Sequence, residues 1–160
     1  MMIEVLVADY RNPRHAEDMS FLLNHYARDP MGGGGALPVE VTRGLARELA
    51  KRPHAFTVLC YVDGKPAGMV NCFELFSTFA CKPLVNIHDV VVVEEFRGQR
   101  LSERMLQKVE AIANERGCCK LTLEVLEGNR AAKTVYQRLG FAGYQLDPAM
   151  GQALFWQKPL

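Results

Sequence analysis

The sequence has no apolar run long enough to cross a bilayer, and its opening Met-Met-Ile-Glu-Val-Leu lacks a basic segment followed by such a run. We therefore expect no signal peptide, no spanning segment and a cytoplasmic protein. Charge of one sign is also lacking: the formal net charge is +1 over 160 residues. That leaves no basic stripe for nucleic acid or an anionic membrane surface. No two of the five cysteines (Cys60, Cys72, Cys81, Cys118, Cys119) stand in a Cys-x-x-Cys spacing, so no metal site is expected. They read as reduced packing residues. Gly-x-x-x-x-Gly-Lys and Gly-x-Gly-x-x-Gly are both missing, which disfavours a plain nucleotide-binding domain. There is no internal repeat and no linker, so residues 1–160 are expected to form one domain. Hydrophobic residues at 49% and charged residues at 23% suit a globule with a real core.

The elements follow from periodicity. Ile3 to Ala8 reads as a strand. Met19, Leu22, Leu23 and Tyr26 recur at helical spacing between His15 and Arg28. Four glycines, Gly32 to Gly35, then interrupt any helix and leave the backbone mobile, as a lid or as a plain connector. Val41, Leu45 and Leu49 mark a second helix. Phe56–Val62 and Ala67–Leu75 flank Asp63-Gly64, a strong hairpin signal. Leu84–Val93 is the next strand, Leu101–Arg116 a helix closed by Gly117, and Leu121–Leu126 another strand. Ala131 to Leu139 outlines a short helix closed by Gly140. Tyr144–Leu146 and Ala153–Gln157 suggest a terminal hairpin. The expected order is β-α-α-β-β-β-α-β-α-β-β, an α/β protein with one mixed sheet and helices on both faces.

The most informative stretch runs from Asn86 to Leu106. Val90 to Val93 are β-branched and apolar, as a strand covered on both faces requires. Leu101, Met105, Val109 and Ile112 then fall on one helical stripe. Between them lies Arg97-Gly-Gln-Arg-Leu-Ser102. A strand passing through such a turn into a helix aims backbone N–H groups outward, and the helix dipole adds partial positive charge. The turn is thus a phosphate cradle, and a phosphate-bearing cofactor there points to an enzyme.

This arrangement resembles the GCN5-related N-acetyltransferase (GNAT) superfamily over nearly the whole chain. The family's cofactor loop follows Arg/Gln-x-x-Gly-x-Gly/Ala, and here it reads Arg97-Gly98-Gln99-Arg100-Leu101-Ser102. Arg100 replaces the central glycine. A second motif, Asn-x-x-Ala-x-x-x-Tyr-x-x-x-Gly-Phe, is complete as Asn129, Ala132, Tyr136, Gly140 and Phe141. If the turn needs positive φ at Arg100, the side chain costs on the order of 1–2 kcal/mol. If only its N–H is used, Arg100 is tolerated, and its guanidinium can reach a phosphate.

The resemblance implies a GNAT-like acyl-CoA N-acyltransferase fold and acetyl transfer from acetyl-CoA to a primary amine of a small molecule, amino acid or peptide. It implies direct attack in a ternary complex. Tyr136 is then the acid for the leaving thiolate; otherwise it is an aromatic on the buried stripe. Asn129 meets the pantetheine arm, caps the helix, or does both, and Ala132 lets that helix approach the cofactor. The fourth strand is expected to splay from the fifth, so that Val91, Val92 and Val93 border the pantetheine, with Val91 and Val93 offering backbone groups. His88 is the first choice of base, with Asp89 as partner or alternative and Glu124 third; His88 otherwise is a satisfied core histidine. Strand alternation sets His88 and Asp89 on opposite faces. The alternative is a non-catalytic acyl-CoA-binding module. A homodimer is left open, dimers being the commonest oligomers.

Overall fold

The computed structural model describes residues 1–160. The chain divides into two compact units, Met1–Leu126 and Glu127–Leu160. No helix is long and apolar enough to cross a membrane.

The first unit is built on a five-stranded sheet in the order β1-β2-β3-β4-β5. Its strands are β1 (Ile3–Val7), β2 (Ala55–Val62), β3 (Lys65–Ser77), β4 (Lys82–Val92) and β5 (Leu121–Leu123). The first four pair antiparallel in sequence order, and β5 joins β4 in parallel. Asp63 (φ 49°) and Gly64 (φ 78°) make the β2–β3 turn. Both being left-handed gives the twist a two-residue hairpin needs. Two bulges interrupt the ladders. One, between Cys60 and Tyr61, leaves Ala67 without a partner; the other, between Asn71 and Cys72, leaves His88 without one.

Helices α1 (Pro13–Arg28), α2 (Val39–Ala50) and α3 (Leu101–Glu115) pack on the sheet. Asn12 caps α1, its Oδ1 accepting from the N–H groups of Arg14 and His15, with Pro13 in the first turn. Met19 and Leu22 of α1 and Leu49 of α2 share a buried cluster with Leu59, Tyr61, Met69, Val91 and Val93. The alternate residues face α3. A Cβ built on Gly68 would sit 2.7 Å from Met105 Cε, and Arg116 lies 4.6 Å over the Phe56 ring. The helices therefore cover both faces, as expected. Helix α3 ends as its sequence signals: Gly117 has φ 71°, its N–H reaches the Asn114 carbonyl, and the Cys118 N–H reaches Ala113.

The glycine run is more tied down than its composition suggests. Pro30–Gly32 forms a 3₁₀ turn capped by Asp29. Gly34 N–H bonds to the Asp29 carbonyl and Gly35 N–H to Ala27. Gly32 is required there, since a Cβ would overlap the Tyr26 carbonyl oxygen.

In the second unit, α4 (Arg130–Arg138) starts at Asn129, whose Oδ1 accepts from Ala132 N–H at 3.2 Å. It stops at Gly140 (φ 96°), with Gly140 N–H on Gln137 and Phe141 N–H on Tyr136. Phe141 packs edge-on against Tyr136 at 6.0 Å. The Tyr-x-x-x-Gly-Phe spacing is thus that of a helix stop whose flanking residues touch. The expected terminal hairpin does not form as strands. Residues 141–147 and 151–160 carry no ladder, and a single backbone bond, Ala153 N–H to Tyr144 O at 3.3 Å, joins the two arms. Leu146, Phe155 and Trp156 are exposed. Alternation alone gives two short arms no apolar surface to bury, and an isolated ribbon is marginal in water.

Candidate active site

The turn after β4 is left-handed at two positions. Gly98 has φ 81°, and Arg100 adopts φ 60° and ψ 30° as the N-cap residue of α3. Arg100 therefore takes the left-handed conformation that a glycine would take there. Its side chain places no cap on α3 and lies 4.0 Å from Glu103 of the first turn. Gln99 Oε1 is buried in this turn with no hydrogen-bond partner. Arg97 is held on both sides: its Nε donates to Val92 O, and its Nη2 lies 3.2 Å from Asp29 Oδ2. Asp29 is thus the counter-ion of the loop arginine. The Met31 N–H and then Arg97 hold its carboxyl below the usual range.

The edge of β4 is open next to that turn. The β4–β5 ladder runs from Val85–Leu121 to Ile87–Leu123 and stops there. Val90 to Val92 pair with β3 alone. The expectation for Val91 and Val93 needs correction. The Val93 N–H donates to Ala67 O of β3's side, and Val91 O lies 2.9 Å from where a Gly68 Cβ would be. Both residues spend their backbone groups toward β3. By strand alternation, the groups that face the open edge belong to Val90 and Val92. The side chains of Val91 and Val93 are core, packed under α1 and α2.

The bulge corrects a second expectation. With His88 unpaired, His88 and Asp89 no longer alternate. The His88 ring meets Phe73 edge-on at 5.6 Å, and Asp89 Oδ2 accepts from Asn71 Nδ2 at 3.0 Å. Phe73 and Asn71 lie two apart on β3, hence on one face. His88 and Asp89 therefore share the face covered by α1 and α2. His88 is exposed rather than a buried core histidine, and Asp89 is half-buried. Nearby on α1, Tyr26 has its phenol pKa raised by burial and then by the carboxylates of Asp89 and Asp29. Glu124 lies one residue past β5 and is exposed.

Residues that sequence reading passed over lie behind Asp89. Thr57 Oγ1 donates to Asn71 Oδ1 at 2.7 Å, and Tyr10 OH is 2.9 Å from Thr57 Oγ1. Their polarity inside apolar strands was the available signal. In the second unit, Tyr136 is half-buried on α4, Ala132 lies one turn before it, and Asn129 serves as the helix cap.

Residues 9–141 match the Acetyltransferase (GNAT) family. The chain belongs to that family. The match runs through both units. This GNAT chain is 33% identical over 94 residues to an uncharacterized N-acetyltransferase of Methanocaldococcus jannaschii, covering 58% of this chain and 42% of that protein. It is 36% identical over 56 residues to thialysine N-epsilon-acetyltransferase of Bos taurus, covering 35% of this chain and 33% of that one. The matched stretches span less than half the length of these curated relatives. Among solved structures, that of a probable acetyltransferase is similar with TM-score 0.80 and 21% identity, covering 98% of this chain and 97% of that one. At that identity the shared property is the GNAT fold.

Proposed function

We propose that this GNAT protein is an acetyl-CoA-dependent N-acetyltransferase acting on a primary amine of a small molecule, an amino acid or a peptide. The observation that carries the reading is the β4 edge left open beyond Ile87–Leu123, leading straight into the left-handed turn at the N-terminus of α3. Such an edge can pair with an extended amide-bearing arm as a further strand would, and the turn can take the phosphates at its end. Bound acetyl-CoA supplies the thioester whose acetyl group is transferred.

The residues have distinct tasks. Val90 offers main-chain groups along the edge, and Val92 offers its N–H, its carbonyl being held by Arg97. Gln99, Arg100, Leu101 and Ser102 present backbone N–H groups, with Gly98 permitting the turn and Arg97 and Arg100 adding cationic charge. Asp89, with His88 on the same face, takes a proton from the amine. That step matters: a lysine-like amine of pKa about 10.4 is only ~0.04% neutral at pH 7, a penalty of about 4.6 kcal/mol. An α-amine of pKa near 8 costs about 1.4 kcal/mol. Tyr136 is the acid that protonates the leaving thiolate. Asn129 caps α4 through its Oδ1 and stands beside the pantetheine arm.

The test is a screen for released CoA thiol with acetyl-CoA and three amines: thialysine, glucosamine 6-phosphate and a peptide with a free N-terminus. Turnover of one of them is expected. Asp89→Asn should lower its kcat by about 10²–10⁴-fold, the usual contribution of a positioned base. Wild-type protein that binds acetyl-CoA but acetylates none of the three would favour the non-catalytic module.

A further inference from the structure

Thr57 and Asn71 are the two polar residues among the fully buried side chains, at 0% and 3% exposure. Both belong to one string of hydrogen bonds that ends on Asp89. Buried polar groups cost stability unless satisfied, and a satisfied chain of them rigidifies what it holds. The direction of the string can be deduced. Asp89 as a carboxylate only accepts, so Asn71 turns its Nδ2 toward it, at 3.0 Å. Asn71 Oδ1 then only accepts, and Thr57 Oγ1 donates to it at 2.7 Å. With its proton so committed, Thr57 Oγ1 accepts from Tyr10 OH at 2.9 Å. Each donor fixes the next, from the β1–α1 connection across β2 and β3 to β4.

Both ladder irregularities serve this string. The register set at the Asp63-Gly64 turn would place Thr57 opposite Val70; the first bulge moves it opposite Asn71. The register of the β3–β4 tip, Ser77 opposite Lys82, would place Asn71 opposite His88; the second bulge brings Asp89 there instead. Without either bulge the polar residues face apolar partners or the wrong neighbour.

We propose that Asn71, Thr57 and Tyr10 are positioning residues that hold the Asp89 carboxylate in one orientation toward the acceptor amine. The inference rests on the transferase reading, with Asp89 at the amine. An amide cannot pass a proton along, so the string orients Asp89 and is not a proton wire.

The experiment compares wild type, Asn71→Leu, Thr57→Val, Thr57→Ser and Tyr10→Phe, using acetyl-CoA and whichever of thialysine, glucosamine 6-phosphate or the peptide amine the wild type acetylates. Far-UV circular dichroism checks each fold. Asn71→Leu should lower kcat at least about tenfold, as expected for a misplaced reacting group. Thr57→Val should lower it less, and Thr57→Ser should restore it. Tyr10→Phe removes only the last hydroxyl and should show a smaller loss, which keeps the test decisive if Asn71→Leu fails to fold. In all folded variants the KM for acetyl-CoA should stay unchanged. Wild-type kcat in Thr57→Val and Tyr10→Phe would overturn the inference. So would a kcat loss that travels with a raised acetyl-CoA KM and is not restored by Thr57→Ser, since that marks a general lesion. A wild type that binds acetyl-CoA but acetylates none of the three amines overturns the transferase reading itself, and the inference falls with it.

Discussion

Arg100 shows how one residue can depart from a motif and keep its geometry. An L-residue at φ 60° carries a cost of about 1–2 kcal/mol that glycine escapes. Glycine also loses more freedom on folding, by roughly 0.4–1 kcal/mol. We therefore predict that Arg100→Gly stabilises the protein by up to about 1 kcal/mol in urea titration, by this balance of terms. Arg100→Ala, which retains the strain, should show no such gain. The αL conformation was legible only as a conditional: the sequence offered a glycine position filled by arginine, and backbone dihedrals had to decide. Asp29 is a second case. The Met31 N–H and then Arg97 hold its carboxyl below the usual carboxylate range, so the stability it brings is present above the unfolded-state pKa and lost as pH falls through the lowered one. The pair with Arg97 is partly exposed, so Asp29→Asn at pH 7 should cost under about 1 kcal/mol in the same titration.

At the scale of elements, most of the fold was readable because period decides it. The hairpin at Asp63-Gly64, the valine strand and the stripe of α3 appear where alternation and helical spacing put them. What was not readable is register. A bulge adds one residue and flips every side chain beyond it. Nothing in the local sequence announces that Ala67 or His88 is the extra one. The face shared by His88 and Asp89, the exchange of Val91 and Val93 for Val90 and Val92, and the Tyr10–Thr57–Asn71 string all depend on this register. Gly68 shows how closely the sheet and α3 approach. A Cβ there would lie 2.7 Å from Met105 Cε and 2.9 Å from Val91 O. The methionine can move, but the backbone oxygen cannot without shifting β4. Gly68→Val should therefore destabilise by about 1–3 kcal/mol, the usual range for overpacking, as read by thermal melting. Gly44, around which a Cβ meets no atom within 4 Å, is the control. Gly44→Ala should stabilise, alanine being the better helix former by about 0.8–1.0 kcal/mol.

Over the whole molecule, the family was legible because two motifs stand in order on the right elements. The terminal hairpin was not, because short apolar alternation has no partner written into it. The five cysteines are free, with Cys60 and Cys72 buried and Cys81 and Cys119 exposed. Burial pushes the Cys60 and Cys72 thiols up. Iodoacetamide at pH 8 should thus label Cys81 and Cys119 within minutes and leave Cys60 and Cys72 unmodified in the folded protein, as mass spectrometry of the digest would report. The central claim is that the β4 edge and the turn before α3 hold acetyl-CoA. Calorimetric titration of acetyl-CoA into wild type and Arg97→Ala tests it most directly. We predict micromolar binding that Arg97→Ala weakens about tenfold or more, the worth of a charge-assisted hydrogen bond. Absence of binding by the wild type at millimolar acetyl-CoA would contradict the account.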